Sequence, residues 1–251
     1  MKRITQRHGL TALLAASFIT LSSISTIAMA LPAGSEISQA ATAWTPATTV
    51  PATQAERLAE VAKITAKSTL SDEEKRLLLF LKFTNFASKD DRTLAELEAL
   101  TKEITAWTKA HKKDYEAMAL LGSATSLQSI FYFDNVGKMS FLSKKGGRIL
   151  DRMVRKAPDN MGVRLQRGIS YSAMPAFLDK ARTAVEDFTQ IKTTMQDNAA
   201  PEFVAMIDYY LALSLEKANK QKEADVLIDS LLKLNDSPWA LKAAELQKSR
   251  G

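Results

Sequence analysis

The stretch 148–188 most constrains what this chain can fold into. It reads RILDRMVRKAPDNMGVRLQRGISYSAMPAFLDKARTAVEDF. Apolar residues recur in it at three- and four-residue spacing, the period of one helix face. Pro158-Asp159-Asn160 stops one helix and starts the next, and Pro175 breaks the chain again. Three amphipathic helices joined by short turns must bury their stripes on one another, so the stretch belongs to stacked helical hairpins. No strand-like alternation of period two occurs along the sequence. Nine glycines and seven prolines are too few for the many tight turns of an all-β sandwich.

The N-terminal part has a different character. Residues 1–30 have the layout of a secretory signal. Lys2, Arg3, Arg7 and His8 form a charged start, Leu10 to Leu21 an apolar run, and Ala28-Met29-Ala30 a small-x-small site, with cleavage expected after Ala30. The apolar run is shorter than the roughly 20 residues of a spanning helix. An uncleaved membrane anchor is the alternative reading. There is no twin arginine and no cysteine, which points to the general secretion route and away from lipidation. Residues 31–52 are rich in Ala, Thr, Ser and Pro and read as a flexible lead. The expected location is periplasmic or secreted.

The missing cysteines exclude disulfides, thiolate metal sites and cysteine nucleophiles. The formal charge is +6, but Lys2, Arg3 and Arg7 lie in the segment expected to be removed, which leaves about +3. So mild an excess makes no case for a nucleic-acid partner.

Residues 53–251 are expected to hold about ten helices. Leu58, Val61, Ala62 and Thr65 give the first its stripe. Ser71 and Glu74 form a capping box for the second, whose Leu77–Leu81 run is apolar almost all round and predicts a central helix. Asp90 or Asp91 is expected to cap the third, with Leu94, Leu97, Leu100, Ile104 and Trp107 as its stripe. A helix over 115–133 is followed by a loop around 134–137. The next helix carries Ile149, Leu150, Met153 and Val154 and stops before Pro158. Asp159 or Asn160 caps its successor, and Ser237-Pro238 starts the last helix.

The later helices also compare with one another. Leu121-Gly122, Arg167-Gly168 and Leu211-Ala212 each put a small residue midway along the first helix of a hairpin, 46 and 44 residues apart. A small residue there lets the second helix approach closely. With Ala205 as position one, Leu211, Ala212, Ala224, Ile228 and Leu231 fall on the motif positions of a 34-residue unit. Here the chain resembles the tetratricopeptide repeat family. The middle copy matches at Gly168, Tyr171, Ala184 and Phe188 around an insertion at 172–177. The first matches at Leu121, Gly122 and Pro158 around a longer insertion at 134–142. The resemblance covers 115–238, with repeats at 115–158, 161–198 and 203–238, and implies an irregular all-α hairpin solenoid of degenerate units. The order Ala157-Pro158-Asp159-Asn160, Arg164 to Gly168 and Met174 to Phe177 is also similar to exported bacterial proteins with divergent repeats.

Four residues stand out as a candidate site. Arg164 and Arg167 share a helix face at positions that the family's register fills with large apolar residues. A partly buried arginine needs an anion. They form a fork for a carboxylate or phosphate of a partner, an internal network with Asp151, Glu186 or Asp187, or a wholly solvated face. Tyr171 and Tyr209, with Tyr210, lie on first helices, which line the concave face in this family. There they would anchor a peptide or pack the core. Phe131-Tyr132-Phe133 with Phe141 borders the longest insertion, as a binding loop or a packing element.

No catalytic, metal or cofactor site is expected. Past the leader the sequence has one histidine, His111, and no G-x-S-x-G element. Lys144-Lys145-Gly146-Gly147-Arg148 lacks the phosphate-loop pattern. The sequence therefore predicts an exported scaffold that binds an envelope protein or extended peptide in a groove between hairpins. The alternatives are a transporter-associated binder of an acidic solute, in which both arginines sit free in an enclosed pocket, and a helical glycan-cleaving enzyme with two acids across a cleft.

Overall fold

The computed structural model describes residues 50, 54–195, 199–235 and 237–250. The signal segment 1–30 and all but residue 50 of the lead 31–52 lie outside the described residues.

Ten α-helices account for most of the described chain, and no strand occurs among the described residues. They are α1 Gln54–Thr65, α2 Asp72–Ser88, α3 Leu94–Ala110, α4 Tyr115–Leu127, α5 Val136–Lys156, α6 Met161–Ala173, α7 Ala181–Met195, α8 Pro201–Lys217, α9 Gln221–Leu231 and α10 Pro238–Lys248. Short 3-10 turns at Gln128–Tyr132 and Ala176–Leu178 interrupt the sequence of helices. The fold is an irregular helical solenoid. Each helix packs on the next one in the chain, and α4, α6 and α8 also pack side by side in succession. Among the described residues no helix is long and apolar enough to cross a membrane.

Local chemistry sets most helix starts. The Ser71–Glu74 capping box is closed in both directions at the head of α2. Asn160 caps α6 by accepting from the Val163 amide at 3.0 Å. For α3 the cap is Thr93, not Asp90 or Asp91. Thr93 has extended backbone and closes its own box with Glu96. After α8, Asn219 takes φ 61, and the amides of Asn219 and Lys220 return to the carbonyls of Glu216 and Leu215. This double return satisfies carbonyls that the helix end leaves open.

The α5 helix corrects a second expectation. It starts at Val136, capped by Asn135, and runs without a break through Gly146-Gly147, so the loop expected around 134–137 is shorter. Glycine inside a helix costs about 1 kcal/mol relative to alanine. Here it allows two backbones to touch. A Cβ at Gly146 would lie 2.5 Å from the Gly122 carbonyl oxygen and 2.2 Å from Ser126 Oγ of α4. A Cβ at Gly168 would lie 2.9 Å from the Phe188 ring of α7. Ala212 is buried with Ile228 and Leu231 of α9. The small residues of α4, α6 and α8 each admit a second helix, as their spacing predicted.

Two main cores result. One runs from α4 to α9 around Leu150, Tyr171, Phe188 and Ile207. The other joins α2, α3 and α4 through Phe80, Leu97, Ile104 and Leu120. Most of α4 is buried, and its residues enter both cores. The stripe of α1 differs from the sequence reading. Leu58 is 52% exposed, and the buried face carries Arg57 and Ile64. Arg57 reaches α2 through Nε to Asn85 Oδ1 at 2.9 Å and Nη2 to Ser88 Oγ at 3.1 Å. Hydrogen bonding by Arg57 turns that face inward together with the apolar Ile64.

Candidate functional site

The turn at Pro158 aims α6 across both α5 and α7. Arg164 and Arg167 lie one helical turn apart on it and converge on a single acid. Asp187 of α7 is fully buried. Arg167 grips it with two bonds, Nε to Oδ2 at 2.7 Å and Nη2 to Oδ1 at 2.9 Å. Arg164 Nη1 adds a third at 2.9 Å, while its Nε donates to the Pro158 carbonyl at 2.7 Å. Arg167 Nη1 also reaches Asp151 of α5 at 3.2 Å. Two arginines thus meet two aspartates, and the cluster ties α5, α6 and α7 together. Of the three acids that the sequence offered as internal partners, Asp151 and Asp187 are in contact with the arginines.

The electrostatics follow from this geometry. Burial works against the Arg167 charge, but the bonds and charges of Asp187 and Asp151 outweigh it and hold the guanidinium above its ordinary value. The solute-binding alternative required both arginines in an enclosed pocket without acid partners. Here both have them. Arg164 keeps Nη2 without a hydrogen bond among the described residues, and its side chain is partly exposed.

The tyrosines face inward. Tyr171 is fully buried, and its hydroxyl donates to the Gly147 carbonyl at 3.2 Å, so it braces α6 on α5. Burial, with Asp151 nearby, pushes that hydroxyl far above the usual tyrosine range. Tyr209 is buried between Tyr210 and Trp239, with ring centroids 5.3 and 5.6 Å away. Neither ring presents a face to solvent.

A second charged node was not anticipated from the sequence. Arg76 of α2 binds Asp114 at 2.8 Å and Glu116 at 2.8 Å, and Trp107 Nε1 donates to the same Asp114 at 2.9 Å. Beside it an open cleft of about 410 Å³ is lined by Asp72, Glu73, Arg76, Trp107, His111 and Lys112, among others. The His111 ring stacks on Trp107 with centroids 3.7 Å apart. Asp114, as cap of α4, is the one sequence signal that could have located this node.

With this geometry in hand, comparison with known proteins adds no kinship: the chain matches no family model, no curated protein and no solved structure.

Proposed function

We propose that this chain is an exported, degenerate tetratricopeptide-like scaffold. It works in the periplasm by binding an envelope protein or extended peptide between its stacked hairpins, and it catalyses no reaction. One observation carries the reading: α4, α6 and α8 lie side by side, each backed by the helix that follows it. Repeats stacked in this way offer one extended surface, which suits an extended partner better than a small solute. The N-terminal layout of residues 1–30 supports export.

Within this reading Arg164 is the contact residue. Its free Nη2 donor points a charge at an acidic group or carbonyl of the partner, while Arg167, Asp187 and the buried Tyr171 and Tyr209 hold the surface in shape. The test is crosslinked affinity capture from the periplasmic fraction of cells that make the chain with its own leader. Wild type is compared with Arg164→Met and with the charge-free triple variant Arg164→Met, Arg167→Met, Asp187→Leu. A reproducible partner, crosslinked to α6 or α8 and lost from both folded variants, supports the proposal. Undiminished capture by a folded triple variant overturns the role of Arg164. Failure to recover any crosslinked partner overturns the scaffold, and absence from the periplasm overturns the location.

A further inference from the structure

The modest charge of the chain is unevenly spread. Helix α5 carries seven cations, Lys138, Lys144, Lys145, Arg148, Arg152, Arg155 and Lys156, against the single acid Asp151. Asp151 turns toward Arg167. All seven cations are exposed, and none forms an ion pair among the described residues. Positions 138, 141, 145, 148, 152 and 155 follow one another at alternating three- and four-residue steps. At 3.6 residues per turn this keeps them within an arc of about 100° along about 26 Å of helix. The only exposed acids next to α5 in the chain are Asp134 before it and Asp159 after it.

Apolar residues mark one end of this face. Phe133, just before the helix, is 66% exposed and Phe141 56%. Phe141 stands inside the cationic row. Lys138 Nζ sits 3.9 Å from the centroid of the Tyr132 ring and Lys145 Nζ 5.9 Å from that of Phe141. Phe131 is the aromatic of this group that packs on the core. Cations alone would suit any polyanion, a nucleic acid included. A row of cations ending in a bare apolar tip suits a surface that is anionic outside and hydrocarbon just beneath.

We propose that the outer face of α5 docks the protein onto an anionic phospholipid bilayer, with Phe133 and Phe141 entering the headgroup boundary. The helix lies flat on the surface, and its opposite side stays in the solenoid core through Leu142, Leu150, Met153 and Val154. Each cation within reach of an anionic surface strengthens binding about five-fold.

The test is sedimentation of the full chain with phosphatidylglycerol/phosphatidylcholine vesicles and with pure phosphatidylcholine vesicles, at low and high salt. Any contribution of the leader, from its apolar run at Leu10–Leu21 or from Lys2, Arg3 and Arg7, is common to every variant, so the α5 contribution is the difference between variants. The reading is the phosphatidylglycerol-dependent gain. Lys145→Gln, Arg148→Gln, Arg152→Gln and Arg155→Gln together are expected to reduce that gain several hundred-fold. Phe133→Ser with Phe141→Ser is expected to weaken binding at least ten-fold while keeping its salt dependence. All substituted side chains are exposed, and an unchanged thermal melt shows that the fold is kept. A wild type with no such gain overturns the proposal. So does a gain indifferent to the four neutralised cations, or an α5-dependent affinity for single- or double-stranded nucleic acid that exceeds the affinity for vesicles.

Discussion

Replacing Asp187 by alanine tests whether the arginine cluster holds the repeats together. The carboxylate is fully buried and accepts three bonds from two guanidinium groups. Removing one partner of a buried ion pair costs about 3–5 kcal/mol, because the remaining charge is left uncompensated. Arg167 would keep Asp151 and Arg164 would keep the Pro158 carbonyl, so the lower end applies, about 3 kcal/mol. In a domain of this size 1 kcal/mol moves Tm by about 2–4 °C, so the expected drop is roughly 6–12 °C. Urea unfolding followed by circular dichroism, with a calorimetric melt, measures both quantities. The decisive comparison is the triple variant Arg164→Met, Arg167→Met, Asp187→Leu. Apolar groups of similar size remove the desolvation cost with the attraction, so its stability is expected within about 1 kcal/mol of wild type or above it. An Asp187→Ala variant that loses under about 1 kcal/mol refutes the reasoning, as does a triple variant no better than the single one.

Three further outcomes are expected. Gly146→Ala costs about 2–3 kcal/mol in urea unfolding despite better helix propensity, because the new Cβ meets backbone that cannot move aside. Gly137→Ala, where the nearest atom would be 3.6 Å away, stays within about 1 kcal/mol of wild type. Burial pulls the Lys217 ammonium, which donates to the Ser172 and Met174 carbonyls, down to about 8. Between there and the ordinary lysine value the unfolded chain binds the extra proton, so this group makes stability rise with pH from about 8 to 10. Lys217→Met should lower that rise by on the order of 1–2 kcal/mol across the window, and an unchanged pH profile contradicts the assignment.

The sequence was most legible where the determinants are local. Ser71 and Glu74 act within three residues, so spacing identifies them, and for α6 it narrows the cap to Asp159 or Asn160, of which Asn160 caps. Thr93 was hidden by two neighbouring aspartates, since only backbone angles decide which polar residue becomes the cap. The face of α1 was misread because periodicity arguments assume an apolar interior, and Arg57 turns inward for hydrogen bonds to a helix 28 residues later. The close approach at Gly146 of α5 was not legible because its reason lies on α4, in Gly122 and Ser126. In the candidate site the sequence placed both arginines on one face but left three acids open. Asp187 sits three residues after buried Ala184 and four before buried Ile191, so it faces the core. Glu186 has no such neighbours, and that pattern could have separated them. The Arg76 node escaped because its members are about 40 residues apart.

Helix α4 has a consequence for how the molecule comes apart. It supplies residues to the α2–α3 core and to the α5–α9 core and shows little of itself to water. Neither core can lose α4 without exposing apolar surface that belongs to the other. A row of repeats melts from its ends when each unit answers only to its neighbours. Here the shared helix works as a keystone: fraying from either end is halted at α4 until both halves yield together, and its amides should be among the last to exchange with solvent.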